Sequence, residues 1–94
     1  MSDTEALNIN NLEIEDLLSV FIGILSGKAL RYLGIQLKEG EELEKDLKRA
    51  STAIDSISCL IEQVEVFLTE ESMKHYRSLL SNLQIQYAKN ASFL

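Results

Sequence analysis

A glutamate and a histidine one helical turn apart form the arrangement in this sequence that comes nearest to a metal site. Glu71 and His75 would lie on one helix face, where they could share a metal ion. Di-iron helical bundles instead use a Glu-x-x-His pair on each of two helices, with further glutamates facing inward. Because His75 is the only histidine and its spacing differs, we predict a solvated surface pair, with no metal and no cofactor.

The single cysteine, Cys59, lacks the neighbours that would make it a nucleophile. A reactive thiolate needs a base or a cation close by, and Ser56, Ser58 and Glu62 provide neither. We therefore predict a small apolar side chain under a neighbouring helix. The sequence also contains no glycine-rich phosphate loop, no Ser-His-Asp set and no zinc-ligand spacing. These observations predict a protein that is not an enzyme.

Composition narrows the classes of partner and the location. The chain has 94 residues and a net charge of −6, so neither nucleic acid nor an anionic membrane surface is an expected partner. Its longest apolar stretch, residues 17–27, is about half of the roughly 20 residues that span a bilayer. Residues 1–11 lack the basic and apolar regions of a signal peptide. We expect a soluble, cytoplasmic protein.

Helical periodicity accounts for nearly the whole chain after a polar tail at residues 1–11. Proline is absent, and apolar residues recur every three or four positions in three segments. Gly34 is suited to end the first helix and Thr69 to cap the third. The sequence predicts one all-α domain over residues 1–94, with helices at 13–33, 41–67 and 70–90.

The predicted middle helix has an uninterrupted heptad pattern from Leu43 to Leu68. A third apolar column widens its stripe, which is typical of a helical bundle rather than a two-stranded coiled coil. A continuous helix over 41–67 would be about 40 Å long, roughly two turns longer than the first predicted helix. We therefore predict a three-helix antiparallel bundle with a long middle helix, completed as a homodimer by a second copy.

The first predicted helix is apolar on more than one side. Ser19, Gly23 and Gly27 recur every four residues on one narrow face. Such spacing lets two helix backbones approach closely, and a second copy or a tight crossing within the chain would satisfy it equally. A helix that is apolar all round is unsuited to a surface, so we expect this one to be central. The residues predicted at helix–helix or dimer contacts are Ser19, Gly23, Gly27, Val20, Ile24, Leu43, Leu47, Ala50 and Ile54.

An ordered series of short motifs runs through the three predicted helices. Ala29-Leu30 and Leu33-Gly34 close the first, Leu47, Ala50 and Ile54-Asp55 mark the second, and the third opens with Leu68-Thr69-Glu70-Glu71 and continues through Leu79-Leu80, Leu83 and Tyr87. In order and spacing, residues 18–87 resemble a bacterial family catalogued as domain of unknown function 1844. The resemblance implies a helical fold and no assigned activity.

This chain departs from the family's usual pattern at two places. The family usually has a Lys-Thr-Lys-Gly-Asn-like segment before the Leu-Thr, where this chain has Gln63-Val64-Glu65-Val66-Phe67. The proline that usually follows the Leu-Gly is also missing. If the basic segment carries the family's function, that function does not transfer to this chain.

Two functional hypotheses follow from the sequence. The first is a helical module for protein–protein interaction and oligomerisation, without a catalytic site. The alternative is a bundle that binds a small molecule or lipid along the apolar surface of the first helix.

Overall fold

Three α-helices make up most of the chain in the computed structural model, which describes residues 9–36, 38–40, 42 and 44–91. Among these residues there is no strand. The helices are α1 (Ile14–Tyr32), α2 (Leu47–Val64) and α3 (Glu70–Ala91), with short 3-10 helices at Ile9–Asn11 and Glu65–Phe67. The predicted all-helical, three-helix fold is confirmed. Most of the predicted polar tail, residues 1–8, lies outside the described residues.

Side-chain caps and a glycine define the helix ends. Asp46 caps α2, where its carboxylate accepts the Arg49 backbone N–H at 3.0 Å. Thr69 caps α3 as predicted, since its hydroxyl oxygen accepts the Ser72 N–H at 3.2 Å. Gly34, just beyond α1, has a φ of +86°, a conformation that an L side chain rarely adopts.

The prediction of a long middle helix is wrong. The helix begins at Leu47, six residues later than predicted, and its 18 residues make it the shortest of the three, against 19 in α1 and 22 in α3. Asp46, the residue before this helix, is tied to the end of α1, because its N–H donates to the Tyr32 carbonyl at 2.8 Å. At about 27 Å, α2 has no surplus length that would need a second copy.

The core lies on both sides of α2. This helix runs back along α1 and also packs against α3, while α1 and α3 contact each other much less. The buried apolar side chains are aliphatic, apart from Met73: Ile22, Ala29, Leu33, Ala50, Ala53, Ile54, Ile57, Ile61, Val64 and Leu83. Burial of such apolar surface contributes about 25 cal/mol per Å² and is the main stabilising contribution to the fold.

The prediction that the first helix is central is also wrong, because α2 occupies that position. α1 buries one side, with Ile22 1% exposed and Ala29 fully covered. Ser26 on the same side satisfies its hydroxyl by donating to the Ile22 carbonyl at 2.7 Å. On the opposite side of α1, the apolar side chains of Val20 and Ile24 remain exposed within the described part of the chain.

Candidate functional site

The side of α1 that points away from the core is an apolar stripe flanked by charges. We call the positions Glu13, Leu17, Val20, Ile24, Gly27 and Arg31 the outward face of α1. They follow each other by steps of four, three, four, three and four residues, so they lie along one side of the helix. Ile24 is 57% exposed and Val20 40%, while Leu17 is half-buried. Isolated exposed apolar residues are ordinary, but an aligned set on one helix is typical of an interaction surface.

Two glycines leave space beside this stripe. Apart from the adjacent residues and the backbone of α1 itself, a Cβ atom built at Gly23 or at Gly27 would have no atom of the described chain within 4 Å. The tight crossing within the chain, one of the two alternatives for this spacing, is therefore not formed at these positions. A helix from another molecule has room to approach α1 here.

Ser19, the third member of the small-residue series, has a role inside the chain. Its hydroxyl accepts a hydrogen bond from the Tyr76 hydroxyl at 2.9 Å and donates to the Glu15 carbonyl at 3.0 Å. This contact joins α1 to α3 and places α3 on the Ser19 side of α1. The hydrogen bond between Tyr76 and Ser19 was not predicted from the sequence, although a tyrosine on an apolar helix face indicates that its hydroxyl needs a polar partner.

Two of the contact residues predicted for the middle helix lie in the core of the single chain. Ala50 is fully covered and Ile54 is 4% exposed, so both belong to the core between helices. Leu47 is half-buried, and Leu43 lies outside the described residues. The part of the predicted interface that is open to another molecule is therefore on α1.

Charges of opposite sign lie at the two ends of α1. Glu15 and Asp16 are in its first turn, and Arg31 is in its last turn with Lys28 one turn earlier. Acids near the N-terminus and bases near the C-terminus complement the helix dipole. The Arg31 side chain is held at its end because Nη2 donates to the Glu42 carbonyl at 3.3 Å.

A groove separates α1 from α2 next to the outward face. It has a volume of about 310 Å³ and is lined by Leu25, Lys28, Tyr32, Arg49, Thr52, Ala53 and Ser56. A smaller hollow of about 80 Å³ adjoins it between Lys28, Arg31, Tyr32 and Glu44. No residue of α3 lines the groove, so this side of the α1–α2 pair is open.

The basic residues at the groove are engaged with neighbours. The Arg49 guanidinium contacts the Asp46 carboxylate at 2.6 Å, and the Lys28 ammonium lies 5.9 Å from the centre of the Tyr32 ring. The backbone N–H of Arg49, followed by its side chain, donates to Asp46 and lowers the pKa of that carboxyl below its ordinary value. The positive charge of Arg49 is thus largely balanced by the Asp46 carboxylate.

The residues considered as a nucleophile or as metal ligands do not form a site in the described part of the chain. Cys59 is exposed, which corrects the prediction that a neighbouring helix covers it. The His75 ring is in edge contact with the adjacent Tyr76 ring, 5.7 Å between centres. Within the described ranges, no group of three or more His, Cys, Asp or Glu side chains is placed to hold a metal ion.

The short connection from α2 to α3 is apolar and open to solvent. Val66 is 81% exposed and Phe67 52%, within the 3-10 helix Glu65–Phe67. Glu65 in the same turn accepts a hydrogen bond from Arg77 at 3.3 Å. These residues stand where the family resemblance leads one to expect a basic segment.

Comparison with known proteins assigns the fold described above to a family. The family model described as Domain of unknown function (DUF1844) matches residues 16–89. The chain belongs to this family. The match covers all of α2, most of α1 and α3, and the outward face of α1 from Leu17 onward, and so confirms the resemblance found in the sequence. Neither curated proteins nor solved structures gave a match.

None of the helices in the described part of the chain combines the length and apolarity needed to cross a membrane.

Proposed function

We propose that this DUF1844 protein is a helical interaction and oligomerisation module that uses the outward face of α1. The observation that carries the proposal is the exposure of Val20 and Ile24 on a helix whose other side already fills the core. Complete burial of one such side chain is worth about 1.5–3 kcal/mol, so each half-exposed one retains about half of that for a partner.

The partner that best fits this surface is another copy of the chain. A second copy brings an equally apolar stripe and the same open space at its glycines, so the two surfaces match in character. Dimers with closed two-fold symmetry are also the commonest soluble homo-oligomers. The predicted homodimer thus remains a proposal, now placed on α1 rather than on surplus length of α2.

The first test places a charge on the outward face. Ile24→Glu should convert a dimer, with a mass near twice 10.6 kDa, into a monomer, because dimer formation would bury the new carboxylate. The measurement is light scattering coupled to size-exclusion chromatography at micromolar concentration. Circular dichroism should show unchanged helix content, since Ile24 is outside the core.

Ile85→Glu is the matched control for this test. Ile85 is 53% exposed on α3, against 57% for Ile24 on α1, so the two substitutions make the same chemical change at similar exposure. The control should keep the mass of the unmodified protein. A monomeric unmodified protein, or equal loss of association in both variants, would contradict the proposal.

The α1–α2 groove favours a second candidate function, binding of a small molecule or lipid. Its volume of about 310 Å³ is at the lower end for ligand sites, and Leu25 and Ala53 supply apolar lining. The test is native mass spectrometry of the purified protein. A bound species lost from a Ser56→Leu variant, which adds bulk to the groove at a half-buried position outside the core, would support this function, and a mass equal to that of the bare chain would count against it.

A further inference from the structure

The outward face of α1 has a spacing that reads the same in both directions. Its steps of four, three, four, three and four residues are symmetric about Ile22. Two such helices can lie antiparallel around a two-fold axis that passes at the level of Ile22. Residues whose numbers add to 44 then lie side by side at the same level along the two helix axes. Val20 then meets Ile24 of the second copy, and Leu17 meets Gly27 of the second copy.

The side chains at these paired positions are complementary in size and charge. Leu17 stands opposite Gly27, where the position of a Cβ atom is open outside the backbone of α1, so the large side chain enters the space left by the small one. Glu13 stands opposite Arg31 of the second copy, and Asp16 is at the height of Lys28 of the second copy. A parallel pair would instead bring acid against acid at one end and base against base at the other.

We infer that the partner of α1 is a second copy bound antiparallel. The two-fold axis passes at the level of Ile22 along the helix, and Leu17 of each chain packs at Gly27 of the other. The inference rests on the proposed function and specifies its geometry. Antiparallel α1 helices also place the negative end of each helix dipole beside the positive end of the other. The net charge of −6 on each copy opposes association at long range, so local pairing of opposite charges has to offset this repulsion.

Disulfide cross-linking tests the register. In a Cys59→Ser background, which removes the exposed native thiol, Leu17→Cys and Gly27→Cys variants are mixed under reducing conditions and then oxidised. The two cysteines are expected at the same height and should form mixed dimers, since a disulfide needs Cα atoms about 4.4–6.8 Å apart. Each variant alone should cross-link at least tenfold less, because its own two cysteines are separated by about 15 Å along the helix axes.

A charge exchange provides a second measurement that does not depend on a covalent bond. Asp16→Lys and Lys28→Asp should each weaken self-association, and their equimolar mixture should recover it as a heterodimer, by light scattering. Asp55→Lys on the exposed side of α2 makes the same charge change as Asp16→Lys and should have little effect.

The outcomes separate this inference from the proposed function. Efficient cross-linking of Leu17→Cys or Gly27→Cys alone, with the protein still dimeric, would overturn the antiparallel register and leave an α1 interface standing. A dimer that is insensitive to Ile24→Glu and gives no cross-link in any mixture would overturn both.

Discussion

At the scale of single residues, the glycines fall into two physically different groups. Gly34 and Gly40 have φ values of +86° and +80°, which only glycine adopts without strain. Gly23 and Gly27 lie inside α1, where glycine costs conformational entropy and no other described segment of the chain approaches closely. The same residue type is therefore required at one pair of positions and unfavourable for folding at the other.

This difference predicts opposite effects of the same substitution. Gly23→Ala should raise the free energy of unfolding by about 0.5–1 kcal/mol, because it restricts the unfolded chain and meets nothing in the fold. Gly34→Ala should lower it by about 1–2 kcal/mol, because a Cβ atom is strained at positive φ. Urea unfolding in the Ile24→Glu background measures both without a contribution from association. Destabilisation by Gly23→Ala would contradict the open space at this position.

The wrong prediction that a neighbouring helix covers Cys59 also has its reason at the scale of single residues. Heptad position puts Cys59 opposite the main apolar stripe of α2, and only the arrangement of the other helices decides whether that side is covered. It is left exposed because α1 and α3 both pack on the buried stripe.

At the scale of elements, the start of α2 is where sequence reasoning failed. Nothing in residues 41–46 breaks a helix, and glutamates are favourable in a first turn, so local preference allowed the early start. The Asp46 cap and the hydrogen bond from its N–H to Tyr32 place the start at Leu47 instead. The ends at Gly34 and Thr69 were predictable, because a positive-φ glycine and a threonine cap act through their nearest neighbours in sequence.

The cap at Asp46 predicts a pH dependence of stability. Its pKa is lowered in the folded state, so its charge stabilises the fold above the unfolded value of 3.8, and this contribution is lost as the pH falls through the folded pKa. Asp46→Asn keeps a capping oxygen but has no charge. The unmodified protein should therefore be more stable than this variant at neutral pH, and the difference should shrink as the pH falls below 3.8.

Thermal unfolding of both proteins across this pH range measures the difference. Asp46→Ala, which removes the capping oxygen as well, should lower the Tm at neutral pH by about 4–8 °C. A difference between the unmodified protein and Asp46→Asn that persists unchanged at pH 3 would rule out this titration as its source.

At the scale of the whole molecule, α2 packs against both α1 and α3, and in the described part of the chain Val20 and Ile24 on the other side of α1 remain exposed. If the dimer forms there, unfolding is coupled to dissociation, and stability then depends on protein concentration. The Tm should rise by about 3–5 °C for each tenfold increase in concentration. Ile24→Glu should remove this dependence, and Ile85→Glu should retain it. A Tm that is constant over a hundredfold range would count against a dimer.

The helical class, the presence of three helices, the family and the apolar residues that α1 carries beyond one stripe were all predictable from the amino-acid sequence. These properties follow from periodicity, absence of proline and local caps, which act over one or two turns of chain. Only the tertiary structure decided that α2 is central, that Ala50 and Ile54 are enclosed within one chain, and that Val20 and Ile24 remain open. The physical reason is that periodicity identifies which residues share a helix face, whereas contacts between distant segments decide which faces are covered.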